Sequence, residues 1–174
     1  MTDDLRTQTD IRPATYRVDP TRSAVTFTAT HVFGLKPVDG TMALRSGTVM
    51  VAAEPRRSTV SAEIDATSWA TDDPRRDKDI KAARFLNVAE HPTIGFRSTR
   101  VTGGGANWQI TGVLSVRGGS AEVTLDLTDI TPTVDGYRFT ATAVVDRVAA
   151  GVPGFRAIIG RLVTVTLTLC VTTG

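Results

Sequence analysis

Ala24-Val25-Thr26-Phe27-Thr28-Ala29-Thr30-His31-Val32 decides how the chain is read. Val25, Phe27, Ala29 and His31 fall on one side and Thr26, Thr28 and Thr30 on the other, the period of two that makes a half-buried strand. The same period recurs along the chain. Val60, Ala62 and Ile64 alternate with Ser61, Glu63 and Asp65, and Val123, Leu125 and Leu127 with Glu122, Thr124 and Asp126. Trp108, Ile110, Gly112, Leu114 and Val116 share a face, as do Tyr137, Phe139, Ala141, Ala143, Val145 and Arg147. Val163, Val165, Leu167, Leu169 and Val171 alternate with Thr164, Thr166, Thr168 and Cys170. Thr93 to Ser98 reads as a further strand, and Val38 to Leu44 and Thr48 to Ala53 as two strands joined by a short turn at Ser46-Gly47.

Composition agrees: about one residue in six is threonine and about one in nine valine, both strand formers. The 174 residues suit one domain, with a polar, aperiodic tail over residues 1–14 and a barrel domain over 15–174. One stretch breaks the pattern. Thr71 to Leu86 reads as a helix, with Asp73 at its cap, Pro74 in its first turn and basic residues toward its end. Eight or nine strands with one apolar face each, joined by short turns, predict an all-β antiparallel sheet closed into an eight-stranded barrel, with one short helix between strands.

Several classes are disfavoured. Lys+Arg is 20 and Asp+Glu 18, with the signs interspersed, and Trp108, Phe96 and Phe139 fall on inward stripes, so no nucleic-acid face is expected. No run of about 18 apolar residues marks an integral membrane segment. The polar start lacks the apolar region of a secretory signal, which predicts a cytoplasmic protein; an exported homologue given a new Met is the alternative. A lone Cys170 allows no internal disulfide. His31, His91 and scattered Asp show no metal-ligand spacing, and Ser23, Ser61 and Ser68 lack the glycines of a nucleophile elbow. Neither a metal, a cofactor nor a catalytic residue is therefore expected.

Ala29, Ala62, Gly112, Ala141 and Ala143 point inward where a packed core would use larger groups. Either large neighbours fill that space or a ligand does. His31 and Arg147 extend two apolar stripes and need a partner or a watery mouth; Arg147 could instead tie the rim through Asp146, Asp135 or Asp129.

Tyr16-Arg17-Val18-Asp19-Pro20, Ser23-Ala24-Val25-Thr26-Phe27, Val38-Asp39-Gly40, Ile64-Asp65-Ala66-Thr67-Ser68, Arg76-Asp77, Phe85-Leu86, His91-Pro92-Thr93-Ile94-Gly95-Phe96 and Asp146-Arg147, in this order, resemble the YceI family, from about Tyr16 to Val171. That resemblance implies a lipocalin-like barrel that binds a polyisoprenoid or similar long-chain amphiphile without catalysis. The chain departs from the family pattern at Thr41-Met42, where an aromatic is usual, and at Val148-Ala149-Ala150-Gly151, where Phe155 could supply the missing ring.

The expected cavity wall is Val25, Phe27, Ala29, Ile64, Phe96, Trp108, Ile110, Leu114, Leu125, Phe139, Ala141, Val165 and Leu167, with His31, Arg147 and Arg76 at the headgroup or mouth. A five-carbon isoprene unit buried at about 0.8 kcal/mol per CH₂ gains on the order of 3–4 kcal/mol, so the tail should set affinity and the mouth tune headgroup preference. Two other functions are weighed: a filled barrel acting in protein–protein interaction or stress response, and a hydrolase of a lipid ester or amide. A homodimer through an exposed strand is a further possibility. A cavity smaller than one lipid tail would favour the filled barrel.

Overall fold

Each alternating stretch forms a strand hydrogen-bonded to its neighbours in one antiparallel sheet. The computed structural model describes residues 11–31, 37–104, 107–152 and 159–173, with backbone alone at Thr30, His31 and Ile159. The strands are β1 (Ala14–Val18), β2 (Ala24–His31), β3 (Pro37–Val51), β4 (Thr59–Thr71), β5 (Thr93–Gly104), β6 (Asn107–Val116), β7 (Gly119–Pro132), β8 (Gly136–Asp146) and β9 (Ile159–Thr173). Their order is β1-β3-β2-β9-β8-β7-β6-β5-β4, and a β3–β4 pairing closes the ring. The closed eight-stranded barrel expected from the alternation is what forms.

Nine strands occupy eight places because β1 and β2 share one. Both lie between β3 and β9: β1 pairs Arg17 with Thr48 and Thr172, and β2 pairs Val25 with Met42 and Leu167. A 3₁₀ turn at Pro20–Arg22 offsets them. Asp19 caps it by accepting from the Thr21 amide at 2.9 Å. Ser23 Oγ accepts from the Cys170 amide at 3.0 Å, and the Asp19 amide donates to Cys170 O at 2.8 Å, stitching the turn to β9.

That offset overturns the hairpin expected at Ser46-Gly47, since β3 runs unbroken through both residues. A Cβ on Gly47 would stand 2.7 Å from Val18 Cγ2 and 3.0 Å from Ser61 O. The glycine serves a close approach at the seam between β1 and β2 and not a reversal of the chain.

The helix is also shorter than expected. α1 spans Pro74–Lys81, with Asp73 accepting from the Arg75 and Arg76 amides and Pro74 in the first turn, but Ala82 is extended. Ile80, Phe85 and Leu86 are all buried. At about 100° per residue, positions five and six beyond Ile80 would point to other sides of a helix. Leaving the helix lets all three face the barrel. Asn87 closes the segment in the left-handed region, its amide donating to Ala82 O at 3.0 Å.

The β6–β7 reversal centres on Arg117 and Gly118, both left-handed (φ 51° and 73°), as a tight two-residue turn requires. Arg117 Nη1 donates to Phe85 O at 2.8 Å, fastening the segment after α1 to this hairpin.

The opposite end of the barrel is closed by aromatic rings. Tyr16 and Tyr137 meet edge to face at 5.5 Å, and Tyr137 lies 6.2 Å from Phe139. The Arg12 amide donates to Tyr137 Oη at 3.2 Å and Tyr16 Oη donates to Arg12 O at 2.6 Å. Residues 1–10 of the expected tail lie outside the described residues; from Arg12 onward the chain is fastened to the barrel, and Ala14 already pairs with Val51.

Candidate functional site

Between the aromatic end and α1 the barrel holds a cavity of about 150 Å³. Its wall follows from the alternation, since each strand presents every second residue inward. On β9, Val163, Val165, Leu167 and Leu169 line it, a length of about 20 Å at roughly 3.3 Å per residue. The cavity is therefore long and narrow. Among the described residues that line it, Arg147 is the only charged one.

Of the expected wall, Val25, Phe27, Ala29, Ile64, Phe96, Leu114, Leu125, Val165 and Leu167 border the cavity. Trp108, Ile110, Phe139 and Ala141 do not. Ile110 and Ala141 pack in a side cluster with Val123, Leu125 and Ala143. Phe139 belongs to the aromatic closure. Half-buried Trp108 lies at the start of β6, paired with Gly103 and Leu127, toward the closed end. Alternation assigns a residue to the inner face but not to a height within the barrel.

The small inward residues divide into two groups. A Cβ on Gly112 would stand 2.6 Å from Phe96 Cζ, and one on Gly40 would collide with the Phe27 ring. Rings from neighbouring strands already fill those two gaps. Ala29, Ala62 and Ala143 instead border open space.

At the α1 end, Phe85, Leu86, Ala150 and Val152 cover the barrel. None of these carries a strand signal, so periodicity cannot find them; Phe85-Leu86 enters the sequence reading only through the resemblance and as the end of the expected helix. Trp69 was missed as well. It stacks on Phe27 with centroids 3.8 Å apart and 22° between planes, and lines the cavity. Its Nε1–H is buried without a hydrogen-bond partner, a cost of about 1–3 kcal/mol.

Arg147 is only 5% exposed. Its Nε donates to Gly160 O at 3.0 Å and its Nη1 to Val152 O at 2.7 Å, and its Cζ lies 5.2 Å from the Phe85 ring centre. It thereby joins β8, the following turn, β9 and the segment after α1. The acids considered as its rim partners are engaged elsewhere: Asp146 with Arg161 at 2.7 Å, Asp135 with Arg22 at 2.8 Å, and Asp129 with the Thr131 hydroxyl. Asp146 also accepts from the Val148 and Ala149 amides, and with the Arg161 ion pair these hydrogen bonds hold its carboxyl below the usual carboxylate range. Arg76 does not border the cavity; it lies 3.3 Å from Asp72 and 3.9 Å from Asp73 on α1. The side chain of His31, and Phe155, lie outside the described residues. Among the described residues no three His, Cys, Asp or Glu come together in a metal-binding group, and no helix is long and apolar enough to cross a membrane.

A family model described as the YceI-like domain matches residues 16–171. Protein YceI of Escherichia coli O157:H7 is 39% identical over 72 residues, 41% of this chain and 38% of that protein. A UPF0312 protein of Azotobacter vinelandii is 44% identical over 68 residues, 38% of this chain and 35% of its own length. The chain thus aligns with less than two-fifths of the curated relatives it matches. Among solved structures, Burkholderia cenocepacia BcnA superposes with a TM-score of 0.77 at 21% identity, over 90% of this chain and 99% of BcnA. A polyisoprenoid binding domain from Saccharophagus degradans, implicated in plant cell wall breakdown, gives 0.62 at 12% identity over 94% and 100%. At these identities the likeness is one of fold.

Proposed function

The chain belongs to the YceI-like domain family, and from that premise we propose that it binds, without catalysis, a polyisoprenoid or similar long-chain amphiphile inside its barrel, for carriage or storage. The observation that carries the reading is the cavity: long, narrow, apolar, closed by rings at one end and bounded at the other by a segment held through Arg147. A ring system suits such a space poorly and a flexible chain suits it well. The description of the Saccharophagus domain as polyisoprenoid binding supports the choice of chain.

Volume sets a condition on this function. An apolar void of about this size stays dry and takes one benzene-sized group, so a longer tail must spread the walls. Met42, with its flexible thioether, and the leucines of β3 and β9 are the side chains best able to yield. Each further unit gains about 3–4 kcal/mol from burial and loses about 1–3 to repacking. The net gain of about 0–3 kcal/mol should therefore raise affinity for successive prenyl alcohols by on the order of tenfold per unit, until the closed end is reached. A resting cavity smaller than one lipid tail, together with the rings over Gly40 and Gly112, favours a second reading, a barrel filled by its own side chains that serves as an interaction module.

Native mass spectrometry of freshly purified protein separates the two. Ligand binding predicts a lipid adduct, or uptake of added prenyl or fatty-acyl chains. A clean unliganded mass with no uptake leaves the filled barrel.

A further inference from the structure

The closed end of the cavity lies at a definite height on β9. Its inward series is Val163, Val165, Leu167, Leu169 and Val171; the first four border the cavity, and Val171, at 1% exposure, does not. The strand beside it shows what intervenes. Phe139 pairs with Leu169 and Tyr137 with Val171, and both aromatic residues are more than nine-tenths buried. Tyr16 backs Tyr137, and the two hydroxyls grip the backbone of Arg12, so the rings cannot swing aside without breaking two hydrogen bonds. Phe139 makes no such bond; it does not itself border the cavity but pairs with Leu169, the last residue of the series that does.

We propose that Phe139 is a length stop: it fixes the longest chain the barrel can hold, and the tyrosine pair behind it is the rigid support. The inference rests on the binding function proposed above and adds which residue selects among ligands of one chemistry. A chain entering beneath Phe85 and Leu86 runs along β9 and meets the phenyl ring level with Leu169. Replacing that ring by a methyl removes six carbons' worth of filling, close to one five-carbon isoprene unit. Trimming Phe139 to leucine removes about half as much.

The test offers a mixture of geraniol, farnesol, geranylgeraniol and the next longer prenyl alcohols to the full chain, and reads by native mass spectrometry which adducts form. Phe139→Ala should shift the longest retained chain upward by one isoprene unit. Phe139→Leu, milder and safer for folding, should enrich the longest chain held by the parent at least threefold over the next shorter one. Val134→Ala, at a fully exposed position in the β7–β8 turn, should leave the profile unmoved. If the parent takes up a graded series while the Phe139→Leu and Phe139→Ala profiles superimpose on it, the length stop is wrong and the binding function stands. If the parent takes up no chain of any length, the binding function fails and the length stop fails with it.

Discussion

Replacing Arg147 by methionine tests whether the buried guanidinium is structural. Among the described residues, the side chain loses charged donors to two carbonyls, Gly160 O at 3.0 Å and Val152 O at 2.7 Å, and its position 5.2 Å from the Phe85 ring centre. Hydrogen bonds to a charged group contribute about 1.5–3 kcal/mol each, and a desolvated cation–π contact up to about 2. Against this, methionine escapes the several kcal/mol spent on holding a guanidinium away from water. The balance is a loss of about 2–4 kcal/mol, because the two carbonyls are left without the donors that now satisfy them. In a domain of this size that lowers Tm by roughly 5–12 °C. Urea unfolding followed by tryptophan emission, with a thermal scan beside it, measures both. A variant within about 0.5 kcal/mol of the parent, the range of a neutral surface change, would refute the claim that Arg147 holds the cover of the barrel. A second arm separates support from headgroup recognition. If the role is support, affinities for a prenyl alcohol and for the matching hydrocarbon fall together; if only the alcohol weakens, the guanidinium reads the polar end.

Three further outcomes follow from particular contacts. Gly40→Ala places a methyl against the Phe27 ring and 2.6 Å from Ala70 O, so it should cost about 1–3 kcal/mol by overpacking and change Trp69 emission by disturbing its stack; an unchanged urea midpoint and spectrum would contradict this. Trp69→Phe removes a buried N–H that has no partner, which offsets the lost ring area, so it should cost under about 1 kcal/mol, far less than the 3–5 typical of Trp→Ala; paired urea titrations decide it. Asp146 has its pKa lowered by the Ala149 amide and Arg161, so its contribution is full above the ordinary value of about 3.9 and is lost as pH falls through the lower folded value. Asp146→Asn should therefore flatten the acid limb of the stability–pH curve below about pH 4 without changing its shape near neutrality.

Much of the fold is legible before any coordinates. The alternation from Val25 to Ala29 and from Val163 to Val171 places the inward residues of those stretches, because side-chain direction along an extended chain is a local property. Asp73-Pro74 marks a helix start for an equally local reason. The cavity is less legible. Phe139 and Leu167 look alike as inward residues, yet only Leu167 borders the cavity.

What the sequence by itself determined is therefore the class of the protein: strands of period two, enough of them to close, and an interior of aliphatic and aromatic side chains with His31 and Arg147 extending two of its stripes. Tertiary structure alone decided that Gly47 sits within a strand against Val18, that β1 and β2 share one place in the ring, and that Phe85 and Leu86 fold over its end. It also decided that two of the inward glycines face rings while three alanines face open space. Each of these depends on residues far apart in the chain meeting at a height set by the bulges and stagger of the barrel, and a bulge resets the alternation from which a sequence is read.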